Sequence, residues 1–308
     1  MYVCMTMDVE RVSVLEDIKG PSTWEAGKRS VWDYCSLLHE NGFPATLFVV
    51  PDAASAQGSE LREIIDRTEG ELGLHLHPQN WERRIRNSEA QEFLGAYGAK
   101  EQHQLIAAAM EQCTAGLGRR PKAFRSGHLS ANDATFAVLA QLGFTHGSLS
   151  QPGRVAPRYR AVWAGACQDV HRAHHSFRLI PGDLDFVELP LTVDRSNKNH
   201  WTGVGDLRLE GANAAQITLG IQQELRRQME EVAVIKHLCL MTHNYVDFTH
   251  DERGGGRRDI LLAVLQAIKC AAEELGLDVR GVTLATARDE FIKAEAQRKT
   301  GHLELQPE

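Results

Sequence analysis

Residues 71–78 read Glu-Leu-Gly-Leu-His-Leu-His-Pro (ELGLHLHP). The run from Glu71 to Leu76 is short and apolar, the pattern of a buried strand. His75 and His77 stand two apart at its end, and Pro78 breaks the strand behind them. Side chains two apart on an extended chain project to one side, so both imidazoles can bind one metal ion. Two unrelated loop histidines are the plain alternative.

Outward from this stretch, short apolar runs alternate with longer amphipathic ones along the whole chain. Further strands are expected at 2–7, 45–50, 123–125, 144–149, 186–189, 238–242 and 282–284. Helices are expected at 24–40, 60–67, 100–117, 131–142, 214–231, 260–275 and 287–296. Residues 151–182, with several prolines and glycines, read as a long excursion. About seven strand–helix alternations with no linker-like break predict one α/β domain over residues 1–298, with a polar, frayed tail at 299–308. The sheet should be parallel and the count fits a barrel or near-barrel, whose chemistry sits where the strands end.

Composition sets the outer limits. Of 308 residues, 43% are hydrophobic and 24% charged, which excludes disordered and fibrous classes. The net charge of −7 argues against nucleic acid or an anionic membrane surface as partner. Six cysteines without C-x-x-C spacing read as reduced thiols. The first ten residues lack a basic region followed by an apolar one, and no apolar run approaches the roughly 20 residues of a membrane span. A soluble, cytoplasmic protein is expected. The 14 histidines are the oddity, since histidine is the commonest metal ligand.

Several candidates for chemistry fall at strand ends. The first strand ends in Thr6-Met7-Asp8-Val9-Glu10, so the carboxylates of Asp8 and Glu10 point to one side. A loop acid pair capping the next element is an equal alternative. Phe124-Arg125-Ser126-Gly127-His128 places an arginine where it can hold a carboxylate and depress its pKa. His243 directly follows the apolar strand LCLMT and is a candidate general acid in such company. His171, His174 and His175 (HRAHH) have helical metal spacing but no matching acid. Gly254, Gly255 and Gly256 lack the spacing of a phosphate cradle and read as a flexible loop. Trp81, Trp163 and Trp201 lie in or beside long loops at 80–97, 151–182 and 192–211, where they either offer sugar platforms or pack the loops.

The order of these motifs resembles the polysaccharide deacetylase superfamily, the NodB-like carbohydrate esterase family 4 enzymes and their intracellular relatives. The matching stretches are TMDVE, GFPATLFVVP, ELGLHLHP, FRSGH with LGFTHGSLS, VELP and LMTHN, with GVTLATARDEF similar to the closing strand and helix. The resemblance implies a distorted (β/α) barrel of about seven parallel strands and one divalent metal, usually zinc, with nickel, cobalt or manganese as alternatives. It implies hydrolysis of an N-acyl or O-acyl group, typically acetyl on an amino sugar. By the same resemblance Asp8 is the catalytic base, Glu10 and His75 are metal ligands, Arg125 orients the base, and His243 is the general acid.

Two departures stand out. Val9 occupies the place of the second of two adjacent aspartates, and the usual H-x-x-x-H pair would fall on Gln79, where this chain offers His77 instead. The metal shell is therefore read as Glu10, His75 and His77, with Asp8 as the alternative carboxylate. The substrate is expected to be a small molecule or oligosaccharide, and a homo-oligomer is left open. A ureide or cyclic-imide hydrolase of allantoinase type, marked by Arg or Asn in the pocket, and a non-catalytic carbohydrate-binding relative are the alternatives.

Overall fold

The computed structural model describes residues 1–13, 19–78, 93–195, 203–211, 213–249 and 257–304. Among the described residues nine strands form one sheet: β1 (Tyr2–Val9), β2 (Ala45–Val49), β3 (Glu71–Leu76), β4 (Ala123–Ser126), β5 (His146–Gly147), β6 (His171–Arg172), β7 (Val187–Glu188), β8 (His237–His243) and β9 (Arg280–Gly281). Seven of them run parallel in the order β8-β1-β2-β3-β4-β5-β7; β6 adds antiparallel to β7, and β9 pairs with β1. Past β7, Thr192 N donates to Cys239 O (3.0 Å), and Cys239 N donates to Thr192 Oγ1 (2.8 Å). These bonds draw the two ends of the curled sheet together, and the result is the expected distorted (β/α) barrel.

Helices α1 (Trp24–Glu40), α2 (Pro51–Arg67), α3 (Ala99–Leu117), α4 (Thr135–Gln141), α5 (Ala214–Glu230) and α6 (Arg257–Glu274) follow their strands. Their ends carry recognisable stops and starts. Thr23 accepts from Ala26 N at the start of α1, and Asn213 and Gln216 form a reciprocal capping box on α5. Helix α2 starts nine residues before the expected 60–67, because its first half is rich in Ala, Ser and Gly and has little apolar period. Pro51 at its first position and the buried Ala53 and Ala54 set that half. A Cβ on Gly58 would strike the backbone of Gly116, so α2 and α3 meet backbone to backbone.

The strand alternation separates two cores. Val3, Met5, Met7 and Val9 face outward into the core shared with the surrounding helices. Cys4, Phe48, Ala123, Cys239 and Met241 face inward, together with Leu284, Ala287 and Phe291 of α7 (Leu284–Glu304). Helix α7 therefore plugs the barrel at the end where the strands begin. Its first turn is tied there by Leu284 N to Thr46 Oγ1 (3.1 Å) and Ala285 N to Glu71 Oε2 (3.0 Å). This use of 284 and 285 in the helix start explains why the last strand is Arg280–Gly281 rather than the expected 282–284. The helix also runs on to Glu304, through part of the expected tail.

Thr6 and Asp8 share the inward parity of Cys4, as Arg125 shares that of Ala123 and His243 that of Met241. Register completes the arrangement: Asp8 lies beside His243 across β1 and β8, and His75 beside Arg125 across β3 and β4. With the inside filled by α7 at one end, these polar residues occupy the opposite end of the barrel.

Candidate active site

Six of the sequence candidates come together here: His75 and His77 at Glu10, and Arg125, His75 and His243 at Asp8. His77 Nε2 lies 2.9 Å from Glu10 Oε1, His75 Nε2 lies 3.3 Å from the same oxygen, and the two imidazole nitrogens are 3.1 Å apart. Glu10 is itself fixed at the backbone: its N–H donates to Asn244 Oδ1 (2.9 Å) and its carbonyl accepts from Asn244 Nδ2 (3.0 Å). Asn244 was not singled out in the sequence, although it sits next to His243 in LMTHN. His75 Nδ1 faces the Arg125 carbonyl at 3.0 Å, an arrangement that places the proton on Nδ1 and leaves the Nε2 lone pair for the cluster.

A cation fits this donor set. The ligand atoms of Glu10, His75 and His77 lie within 4.8 Å of one another and all three residues are buried. Three electron-rich atoms converge, and one proton can bridge only one pair of them. Glu10 Oε2 is buried with no hydrogen-bond partner among the described residues, which is costly unless a positive charge stands near it. Two imidazoles and one carboxylate form a known catalytic zinc shell that keeps positions open. Asp8, the alternative carboxylate, is 3.7 Å from His75 Nε2 and is engaged elsewhere.

Asp8 Oδ1 accepts from Arg125 Nη1 at 2.8 Å. Arg125 is fully buried: Nη1 also donates to Thr6 Oγ1 (2.9 Å), Nε donates to Ser148 O (3.0 Å), and the guanidinium lies 4.3 Å over the Phe48 ring. Burial on its own would raise the Asp8 pKa. The Arg125 charge, helped by His75 and His243, outweighs burial and holds it below its ordinary value. Oδ2 is left toward His243, whose Nε2 stands 3.9 Å away.

His243 Nδ1 is held by Glu210 Oε1, and its ring stacks on Tyr245 with centroids 4.9 Å apart. Glu210 comes from a loop with no sequence pattern to mark it. Behind Arg125, Glu188 of the VELP stretch accepts from Leu149 N (2.8 Å), Ser150 N (2.7 Å) and Ser150 Oγ (2.7 Å), and so fixes the loop that presents Ser148 O. Burial pushes Glu188 up to about 7 despite these bonds.

Gly127 of FRSGH has a steric reason. A Cβ there would stand 2.7 Å from His77 Cγ, inside van der Waals contact with the imidazole. The next two residues, His128 (φ 56°) and Leu129 (φ 59°), are left-handed, a strained choice for side chains of this size. Trp163 Nε1 donates to Leu129 O (2.9 Å), and His128 stacks on Tyr159 with 4.7 Å between centroids.

Trp163 is thus corrected as a substrate platform: it is 0% exposed, packs against Phe136, and has no free face for a sugar. Trp81, Trp201 and Gln79 lie outside the described residues. The HRAHH group does not form a helix. His171 is in β6 with Nδ1 at Asp169 O (2.8 Å), and Glu10, His75 and His77 are the only metal-capable cluster among the described residues. A cavity of about 280 Å³ opens over the cluster, walled by Arg154, Tyr159, Arg208 and Tyr245.

Comparisons with known proteins agree with this architecture. Residues 20–147 match the family model described as polysaccharide deacetylase. A structure from Mycobacterium smegmatis assigned as a polysaccharide deacetylase superposes with a TM-score of 0.61 at 18% identity, covering 96% of this chain and 91% of that one. One from Pseudomonas aeruginosa PAO1, assigned likewise, gives 0.57 at 15% identity over 95% and 91%. Puue allantoinase gives 0.57 at 14% identity over 94% and 89%. No curated protein matches the sequence at a significant level. The chain therefore has the polysaccharide-deacetylase fold, and its resemblance to that superfamily holds.

Proposed function

We propose that this protein is a metal-dependent amide hydrolase that removes an N-acyl group, acetyl in the first instance, from an amino sugar or a sugar-containing metabolite. The observation that carries the reading is the convergence of Glu10, His75 and His77 on one point beside the Asp8–Arg125 pair, with His243 facing it. Glu10, His75 and His77 are the residues that would hold the ion. When bound, a divalent ion, zinc by preference, supplies Lewis acidity that polarises an acyl oxygen and acidifies water.

The protein's own groups supply the remaining steps. Asp8, kept ionised by Arg125, accepts the proton of the attacking water on Oδ2. His243, with Nδ1 fixed by Glu210, presents Nε2 to the cleft and donates a proton to the departing amine. Arg125 does not reach the cleft; it positions Asp8. The buried cavity lowers the local dielectric, which strengthens each of these interactions.

Hydrolysis of a ureide or cyclic amide is the second reading. Arg154 and Arg208 in the cavity wall favour it, since no tryptophan face is offered there by Trp163. The Puue allantoinase superposition is compatible with it. A reducing, cytoplasmic setting fits the six free cysteines, and no helix among the described residues is long and apolar enough to cross a membrane. Amine or ammonia release by the zinc-loaded protein, measured over a panel of N-acetylated sugars and a panel of ureides, separates the readings. Turnover confined to ureides would replace the first by the second. No turnover on either panel would overturn both.

A further inference from the structure

The wall of the cavity that also holds Glu10, His75 and His77 carries a charge that the proposed chemistry does not use. Arg154 is 8% exposed, lines the cavity, and spends one nitrogen on a neutral partner, Nη1 to Gln151 Oε1 at 2.9 Å. Its Nε is buried with no hydrogen-bond partner, and no carboxylate lies within ion-pair distance among the described residues. Arg208 also lines the cavity; it is bound to Asp206 Oδ2 through Nε (3.2 Å) and Nη2 (2.8 Å). A buried guanidinium without a counter-charge is unfavourable, and a second guanidinium nearby makes it more so. Burial, and then the Arg208 charge, push the Arg154 pKa down, and the Asp206 carboxylate that Arg208 already engages offsets this only in part. The other buried arginine of the site, Arg125, has its aspartate. Among the described residues, Arg154 is the buried arginine of this site with no carboxylate within ion-pair distance.

We propose that the substrate carries an anionic group, a carboxylate or a phosphate, that seats on Arg154 beside Arg208 while its amide lies over Glu10, His75 and His77. The planar fork of arginine donates two parallel hydrogen bonds to either anion, and such charge-assisted bonds are short and strong in a dry site. A cavity of about 280 Å³ is near the lower end of small-molecule sites, which fits one acylated unit with its anion and not a polymer segment. This assignment rests on reading the cavity as that of an amide hydrolase. Its test does not depend on turnover.

Calorimetric titration of the metal-loaded full-length protein with inorganic phosphate, and separately with acetate, reads the anion seat directly. One saturable site per chain is expected for at least one of the two, and which binds tighter identifies the anion. In Arg154→Met the affinity should fall at least tenfold, and Arg154→Lys should restore part of it. Gln151→Glu, nearly isosteric, supplies Arg154 with an internal carboxylate; it should weaken the probe anion while keeping or raising the unfolding temperature, so it remains informative if Arg154→Met does not fold. Turnover gives the second arm. N-acetylglucosamine should be a poorer substrate than its 6-phosphate or its 3-O-lactyl acid, and Arg154→Met should erase that preference. Anion affinity unchanged in Arg154→Met and Gln151→Glu would overturn the proposal, because the anion would then be on the metal. Arg154-dependent binding with no hydrolysis of any amide would keep the anion seat and remove the hydrolase reading instead.

Discussion

Strand β3 begins and ends in a buried histidine–carboxylate contact, and the two contacts are built oppositely. At its start Glu71 Oε1 meets His146 Nε2 at 2.6 Å, and every other polar atom of the pair is occupied. His146 Nδ1 has Thr145 Oγ1 at 2.9 Å, and Glu71 Oε2 accepts from Thr46 Oγ1 (3.1 Å) and from Ala285 N at the first turn of α7. At its end His75 and His77 crowd Glu10, two nitrogens face one oxygen, and Glu10 Oε2 has no hydrogen-bond partner among the described residues. The first contact is closed and ties the plug helix to the sheet. The second is open, with a carboxylate oxygen left unspent. Histidine near carboxylate is not by itself a functional sign; unspent bonding capacity is.

The comparison can be broken at several places. The largest effect is expected from chelation, which should take turnover to the level of a blank and be reversed by zinc, while thermal unfolding of a Glu71→Ala variant and of the native protein should respond to zinc alike. A Glu71→Ala variant whose activity no longer depended on zinc would contradict the division. Next, Asp8→Asn should lower kcat by about 10²- to 10⁴-fold, as loss of a general base does, with metal content kept. A loss of metal in that variant would make Asp8 a ligand and revise the shell.

Glu71→Ala should cost about 1–3 kcal/mol in denaturant unfolding, the usual penalty for leaving buried hydrogen-bonding partners unsatisfied, with kcat of the folded protein within a factor of a few of native. A comparable loss of kcat would mean that the two ends of β3 are not independent. Gly127→Ala should weaken zinc binding by about 10- to 100-fold, the range seen when a ligand's support is disturbed. Unchanged zinc affinity in a competition titration would show that His77 can move aside freely.

Glu188 gives the most selective effect, confined to the pH dependence of stability. Its pKa is raised in the folded state to about 7 by burial, against about 4.3 in an unfolded chain. Between those values the unfolded chain has released the proton that the folded chain keeps, so stability falls as pH rises through the window. The total is about 4 kcal/mol, and Glu188→Gln should remove that slope. Parallel stability curves for the two proteins from pH 4 to pH 8 would contradict it.

Much of this contrast was legible in the sequence, for a physical reason. Strand parity and the position of Pro78 are local, so His75, His77, Asp8 and Glu10 could be placed at strand ends from spacing alone. Arg125 and His243 followed because each comes straight after a short apolar run. What escaped depends on long-range contact. Glu210 reaches His243 from a loop without pattern, and Arg154 sits in a segment that read as an excursion. The burial of Trp163, which supports Leu129 instead of facing a ligand, could not be told from its neighbours in the chain. The first half of helix α2 carries no apolar stripe to mark it, because it is held by packing against α3 at Gly58 and Gly116.

The central claim is that the open end of β3 holds one divalent ion. Elemental analysis of the native protein and of His75→Ala, His77→Ala and Glu10→Gln, each dialysed against zinc and desalted, tests it most directly. About one zinc per chain in the native protein and a clear loss in all three variants is the expected result; full zinc content in the variants, or none in the native protein, would contradict the account.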